Sequence, residues 1–238
     1  MVAGALLAAV RVLVTVLDPE SGLPISGLGA ADFLAPSPVM AVAAAEEPLA
    51  VLLVLDNSAA GDGLRRTAGE IVARLTSRDV VALAPFQGGA TAFTGDRAAV
   101  GKALGELRFG GDPRLLDSLL TALDTGFPAG GYRKVVVLLT AGVEGPNRAT
   151  ESGVIHAARE RGIALYPVYL HGSGRGSFPG MAKQTGGAAF WLREVRSAEA
   201  IVTAIRNPYL LTLQGGVGPI KVNGREKTFV SSLPLANE

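Results

Sequence analysis

The chain contains no cysteine. Disulfides, thiol nucleophiles and cysteine-ligated zinc are therefore excluded. A chain without cysteine suits reducing and oxidising surroundings alike, so this absence leaves the compartment open. An excess of charge of one sign is also lacking: 22 Lys+Arg stand against 21 Asp+Glu in 238 residues. No basic run or stripe stands out, which argues against nucleic acid as a partner. Aromatic residues make up only 5% of the chain, leaving few platforms for stacked bases. A long hydrophobic run is missing as well. Ala3 to Val10 is apolar but too short to span a bilayer, so no transmembrane segment is expected. It has no positively charged lead-in and does not read as a signal peptide.

What is present is apolar: 48% of the residues are hydrophobic, enough for one sizeable core with a small appendage. The most informative stretch is Leu49-Ala-Val-Leu-Leu-Val-Leu55, which ends in Asp56-Asn57-Ser58-Ala59-Ala60. A continuous aliphatic run of this length is the mark of a parallel strand covered on both faces by helices. A carboxylate and a hydroxyl at its carboxyl end stand where open α/β sheets bind ligands.

From Leu49 onward, strands alternate with helices, the pattern of a parallel sheet. Strands are expected at 49–56, 79–86, 134–140, 163–170 and 188–192, with a short, antiparallel edge strand at 91–93. Helices are expected at 62–75, 96–107, 113–125, 150–161, 178–185 and 197–206. In the first of them Leu64, Ala68, Ile71, Val72 and Leu75 repeat with a 3.6 period. In the second, Val100, Leu104 and Leu107 share a face. Pro113 suits a first helical turn, Gly162 a position just past a helix end, and Ser197 an N-cap. Of Phe190 and Trp191, neighbours on a strand, one is expected in the core. Upstream, 11–17 reads as a β-branched strand, 30–33 as a short helical turn, and 34–48 as a linker without period. Downstream, 209–213 and 219–222 read as strands. Asn223-Gly224 is a strong hairpin turn signal, closed by 227–230. These strands are expected to pair with 11–17. The domain reading is thus 1–48 as strand and linker, 49–206 as the α/β domain, and 207–238 as the rest of a β extension.

The segments 49–58, 79–86 and 134–142 stand in the order and spacing of a von Willebrand factor A domain. Met181-Ala-Lys-Gln-Thr-Gly-Gly187 followed by Ala188 to Trp191 resembles that fold's last helix–strand unit. The flanks, with Val12 to Thr15 leading to Gly27-Leu28 and Asp32-Phe33, resemble the bacterial VWFA-related subfamily. The resemblance covers roughly residues 49 to 206. It implies a doubly wound, mostly parallel six-stranded sheet with helices on both faces, a β extension from the two flanks, a protein partner, and an extracytoplasmic setting.

The resemblance also implies where a metal-ion-dependent adhesion site would lie. That site takes Asp-x-Ser-x-Ser from a first loop, a Thr from a second and an Asp from a third. Its ion, Mg²⁺, wants near-octahedral oxygens. Asp56 matches the first Asp and Ser58 the first Ser. The second Ser falls on Ala60, the Thr on Pro113 and the last Asp on Ala141. Asp112 and Glu144, in the second and third loops, are the acids that could substitute. A flexible Ca²⁺-type site tolerates irregular oxygens better than Mg²⁺ does. The bland alternative for Asp56 and Ser58 is a loop acid that bonds nearby backbone amides.

The remaining motifs carry little chemistry. His156 and His171 have no acid at metal or triad spacing and read as structural or solvent-facing. Ser58 lacks a Gly-x-Ser-x-Gly elbow. Gly172-Ser-Gly-Arg-Gly176 lacks the Lys-Ser/Thr of a P-loop. The reading is a non-enzymatic protein–protein interaction or adhesion module without cofactor, its metal site inactive. Asp56, Ser58, Asp112 and Glu144 form its candidate top surface. The alternatives are an Mg²⁺- or Ca²⁺-dependent adhesion domain with a remodelled site, a structural subunit of a larger assembly, and a Rossmann-like enzyme.

Overall fold

The computed structural model of the chain describes residues 9–58, 62–143, 145–170, 177–192 and 198–235. Five strands make the central sheet: β4 (Leu49–Leu55), β5 (Val80–Pro85), β6 (Arg133–Thr140), β7 (Ile163–Tyr169) and β8 (Phe190–Trp191). Their order is β5-β4-β6-β7-β8, and every pair is parallel. All seven residues of β4 are buried, because helices cover both faces. Alternation along the strands sorts them into two cores. Val51, Leu53, Leu55, Val135, Val137 and Leu139 point one way, with Leu64, Ala68 and Ile71 of α1 (Asp62–Ala73). Leu52, Val54, Val136 and Leu138 point the other way, with Leu115 and Leu119 of α3 (Leu115–Leu123) and Val154 and Ala158 of α4 (Glu151–Glu160).

The helices begin where local chemistry starts them. Asp96 caps α2 (Arg97–Glu106) by accepting from the amides of Ala98 and Ala99 at 2.9 and 3.1 Å. Thr150 caps α4 through the Gly153 amide at 3.2 Å. Gly162, at φ +63°, lets the chain turn straight from α4 into β7. The last two helices are α5 (Ser177–Gln184) and α6 (Ala198–Arg206). Val100 and Leu104 of α2 are buried, and Leu107 packs partly buried beside them. Leu75 joins the same core from just beyond α1. Pro113 precedes α3 rather than opening it, since the helix starts at Leu115 with Arg114 in the cap position. Phe190 is buried and Trp191 half-buried, its indole N–H donating to the Leu170 carbonyl at 3.1 Å. Ser197, expected as an N-cap, lies outside the described residues. Pro167 is tolerated inside β7 because its missing N–H faces the β8 side, where pairing starts only at Val168.

Three expectations need correction. First, the central sheet has five strands among the described residues, not six. Residues 91–94 do run antiparallel along β5, with Val81 and Thr94 exchanging backbone bonds of 2.9 and 3.0 Å. However, the Leu83 amide donates to the Thr91 hydroxyl at 2.9 Å instead of to a carbonyl, so the ladder breaks before it becomes a strand. Second, the segment 34–48 is not a plain linker. Val39–Ala44 is β3, an edge strand. Its exposure on both sides explains why no apolar alternation marked it. Third, Asn223-Gly224 turns the chain, with Gly224 at φ +67°, but it closes no hairpin. A second turn follows at once, with the Thr228 amide bonding the Arg225 carbonyl at 3.1 Å, so the two flanking strands separate. β10 (Lys221–Val222) pairs with β2 (Phe33–Leu34). β11 (Phe229–Pro234) pairs with β1 (Ala9–Leu17).

The two flanks nevertheless build the β extension together. A four-stranded sheet has the order β11-β1-β9-β3, where β9 is Tyr209–Gln214. Val12, Val14 and Val16 of β1 face Phe33, Ile220 and Val222 on one side. Leu13 and Leu17 face the α/β core on the other. Polar pins complete that junction. The Thr15 hydroxyl donates to the Gly186 carbonyl at 2.8 Å, and the Ser231 hydroxyl to that of Gly187 at 2.6 Å.

Candidate functional site

In the order β5-β4-β6-β7-β8 the chain leaves β4 for one edge of the sheet and then returns to its other side at β6. The crevice at the carboxyl ends of β4 and β6 is the switch point where such sheets take ligands. Asp56 sits there, directly after β4, and is 1% exposed. Its Oδ1 accepts from the Ser58 amide at 3.0 Å. Its Oδ2 accepts from the Thr140 hydroxyl at 3.1 Å and from the Ala141 amide at 3.0 Å. Both oxygens are thus engaged inside the protein, and the carboxylate ties the first loop to the third. The Thr140 hydroxyl accepts in turn from the Gly142 amide at 3.0 Å.

Asn57, which the sequence reading passed over, is the second anchor and is 4% exposed. Its amide nitrogen donates to the carbonyls of Gln87 at 3.3 Å and Arg108 at 3.0 Å. Its Oδ1 accepts from the Gln87 amide at 3.0 Å, and its carbonyl from the Gly110 amide at 2.8 Å. One side chain therefore holds the loops after β5 and after α2 against the end of β4. The available signal was an amide residue immediately after a strand-ending acid.

A reciprocal clasp joins the second and third loops. Arg114 gives α3 no side-chain cap. The Asn147 oxygen does so from the third loop, accepting from the amides of Leu116 at 3.0 Å and Asp117 at 3.3 Å. Asp117 returns the contact through Oδ1 to the amides of Arg148 and Ala149, at 2.9 and 2.7 Å. Gly145 donates to the Pro113 carbonyl at 2.7 Å, and a Cβ there would lie 2.8 Å from that oxygen. Only glycine lets the two backbones approach so closely.

The remaining candidates fall as follows. Ser58 is 7% exposed, beside Asp56. Asp112 is exposed; its carbonyl, not its carboxylate, takes part in the loop, accepting from Gln87 Nε2 at 3.2 Å. Ala141 is buried with its amide on Asp56, and Pro113 offers only its carbonyl. Glu144, Ala60, His171 and the segment 172–176 lie outside the described residues. His156 is exposed on α4, as expected. An acid does stand near it after all: Glu160, one helical turn on, lies 3.1 Å from Nε2.

Among the described residues no group of three or more His, Cys, Asp or Glu side chains could hold a metal ion. Among the described residues, which leave out 59–61 and Glu144, the donors at the switch point are too few for a hard divalent cation. Such an ion needs around six oxygens. Here the one buried carboxylate already accepts three hydrogen bonds, and the second- and third-loop positions carry a proline and an alanine. Beside these loops a groove of about 610 Å³ opens between the end of β5 and α3, lined in part by Phe86, Gln87, Gly111, Asp112, Arg114 and Ser118.

No family model matches the chain, and no curated protein does. Solved structures do. An aerotolerance-related membrane protein from Bacteroides fragilis NCTC 9343, solved with multiple mutations to serines, superposes with a TM-score of 0.52 at 16% identity. The match covers 66% of this chain and 98% of that one. Proximal thread matrix protein 1 from the mussel byssus, solved with a zinc-occupied MIDAS motif, superposes with a TM-score of 0.58 at 17% identity. This match covers 73% of the present chain but only 50% of the mussel chain. The chain has a von Willebrand factor A-like fold. In that VWA-like frame Asp56 and Ser58 hold the first-loop corner. Among the described residues no helix is long and apolar enough to cross a membrane.

Proposed function

We propose that the chain is a non-enzymatic protein–protein interaction module of VWA type whose top surface works without a divalent cation. The observation that carries this reading is the state of Asp56: both carboxylate oxygens accept hydrogen bonds from Ser58, Thr140 and Ala141. A carboxylate so engaged serves as a structural tie. Three of its about four acceptor positions are taken, which leaves a single lone pair, on Oδ1, for an ion. Against enzyme chemistry stands the buried Ser58, for which no hydrogen bond to a base is present among the described residues. The partner is a protein that reads shape and hydrogen-bonding groups on the top loops and the groove beside Gln87 and Arg114.

The test is thermal unfolding and titration calorimetry with Mg²⁺, Ca²⁺ and Zn²⁺ at millimolar concentration. The expected result is an unchanged Tm and no saturable heat. Saturable stabilisation by one of these ions, abolished in Asp56→Ala, would refute the reading and establish the cation-dependent alternative.

A further inference from the structure

Small-molecule sites are concave and mostly apolar, with a few placed polar groups. One cavity of the chain has that build and shares no lining residue with the groove beside Gln87. It measures about 310 Å³ and lies where the β extension meets β8, the last strand in the order of the central sheet. Its floor is Leu17 and Phe190, both buried. Pro179 of α5, Trp191 of β8 and Phe229 of β11, all half-buried, form walls. The Trp191 indole N–H is engaged by the Leu170 carbonyl at 3.1 Å, so what the ring offers the cavity is carbon.

The remaining wall is the turn at 18–22, and it is preorganised. The Asp18 amide donates to the Leu23 carbonyl and the Gly22 amide to the Asp18 carbonyl, each at 2.9 Å, with Gly22 at φ +68°. Asp18 Oδ1 accepts from the amides of Ser21 and Glu20 at 2.8 and 3.2 Å, and from the Ser21 hydroxyl at 2.8 Å. The Ser21 bonds above all hold this carboxyl below its ordinary value, so it is ionised at neutral pH. Its Oδ2 takes no hydrogen bond from a described residue, and neither does the exposed Glu20 carboxylate. Both acids line the cavity; no Lys, Arg or His among the described residues does. Arg225 acts on Asp18 only at longer range, and with Lys227 it lines a different cavity bordering the same turn.

We propose that this cavity binds a small organic cation, an ammonium group carried on an apolar body. The floor and the aromatic walls take the body, and Asp18 and Glu20 take the charge. Both parts select. Apolar walls alone would accept a neutral molecule as readily, and two carboxylates alone would accept a hydrated metal ion. An alkylated ammonium suits both, because the faces of aromatic rings attract a cation and repel an anion. The volume stands at the low end of the ~300–1,000 Å³ of small-molecule sites, which gives room for one small molecule and not for a docked helix or strand. The inference is independent of how the top loops bind a partner or treat divalent ions.

Trp191 is the only tryptophan of the chain, so its fluorescence reports on this cavity. The test titrates the full chain with benzyltrimethylammonium to about 50 mM, since a ligand of that size binds in the millimolar range or tighter. Neutral benzyl alcohol and anionic benzoate are run in parallel. The expected result is a saturable change with the cation, an affinity at least about fivefold weaker for the alcohol, and no saturation with benzoate. Glu20→Lys, at an exposed site, is expected to keep the circular dichroism melt and to weaken the cation about tenfold, and Glu20→Gln about threefold. A wild-type chain that shows no saturable change with the cation overturns the proposal. So does equal affinity for the alcohol, or a Glu20→Lys chain that binds the cation as wild type does.

Discussion

Replacing Asp56 separates a structural carboxylate from a metal ligand. In Asp56→Ala, the amides of Ser58 and Ala141 lose their acceptor in a site that is 1% exposed. The Thr140 hydroxyl loses one as well, but it can rotate and is left out of the sum. Hydrogen bonds to a charged group contribute about 1.5–3 kcal/mol each. Two of them give a loss of about 3–6 kcal/mol, or a Tm lower by roughly 6–24 °C at the ~2–4 °C per kcal/mol of a chain this size. Asp56→Asn should fall between. Its amide oxygen can keep the Thr140 and Ala141 donors, while its NH₂ group then faces the Ser58 amide, costing about 1–3 kcal/mol. The assay is thermal or urea unfolding of all three proteins, in EDTA and again in millimolar Mg²⁺. The reasoning requires the same loss in both buffers. A metal ligand behaves otherwise, since without its ion an unpaired buried carboxylate is a burden. If Asp56→Ala is as stable as wild type in EDTA and weaker only with Mg²⁺, the structural account fails.

Three further outcomes follow from the same contacts. Asn57→Ala removes three side-chain hydrogen bonds at a site 4% exposed; a loss of about 2–3 kcal/mol is expected, with faster amide exchange at Gln87 as the specific readout. Asp79, at the amino-terminal end of the sheet, is pushed up by burial. Stronger hydrogen bonds from Arg206, the Leu49 amide and the Thr76 hydroxyl and amide hold its pKa below 3.8 overall. A depressed folded pKa contributes stability that is fully present above the unfolded value and is lost as pH falls through the folded one. Wild type should therefore lose stability below about pH 4 more steeply than Asp79→Asn, measured by urea midpoints from about pH 6 down to pH 3. Gly187→Ala would drive a Cβ into the Leu165 carbonyl; a loss above ~3 kcal/mol or failure to fold is expected by circular dichroism.

The central sheet was legible because burial on both faces leaves an unmistakable trace. β4 is aliphatic throughout and β6 from Val135 to Leu139, and such runs have one comfortable home. The helices were legible from period, as at Leu64, Ala68 and Ile71, and in one case from a stop, Gly162. What the pattern concealed lay at the rims. β3 is held by backbone bonds to β9 with little of its own side-chain surface buried, so alternation had nothing to record. The Asn223-Gly224 signal was local and correct as a turn, but pairing is decided by where Val222 and Leu233 are buried, in different apolar layers. Thr91 shows the same limit at smaller scale: its hydroxyl, rather than a carbonyl, meets the Leu83 amide.

The candidate site was legible in its location and not in its wiring. Asp56 and Ser58 stand at the carboxyl end of β4 because they follow its last residue, and the strand order makes that end the switch point. Which partners it faces is a matter of distant residues. Thr140 and Ala141 reach Asp56 across 84 and 85 positions, and Asn147 reaches Leu116 across 31. Single-sequence reading ranks an acid by its capacity to bind something, yet whether it does so depends on how many donors already face it. The same count explains why Asn57 escaped notice: an amide with one donor group and one acceptor ties two neighbouring loops at once, and nothing in its own neighbourhood announces it. Loops tied together by Asp56, Asn57, Asp117 and Asn147 present a preorganised surface, and under the proposed function that preorganisation lowers the ordering cost of binding a protein.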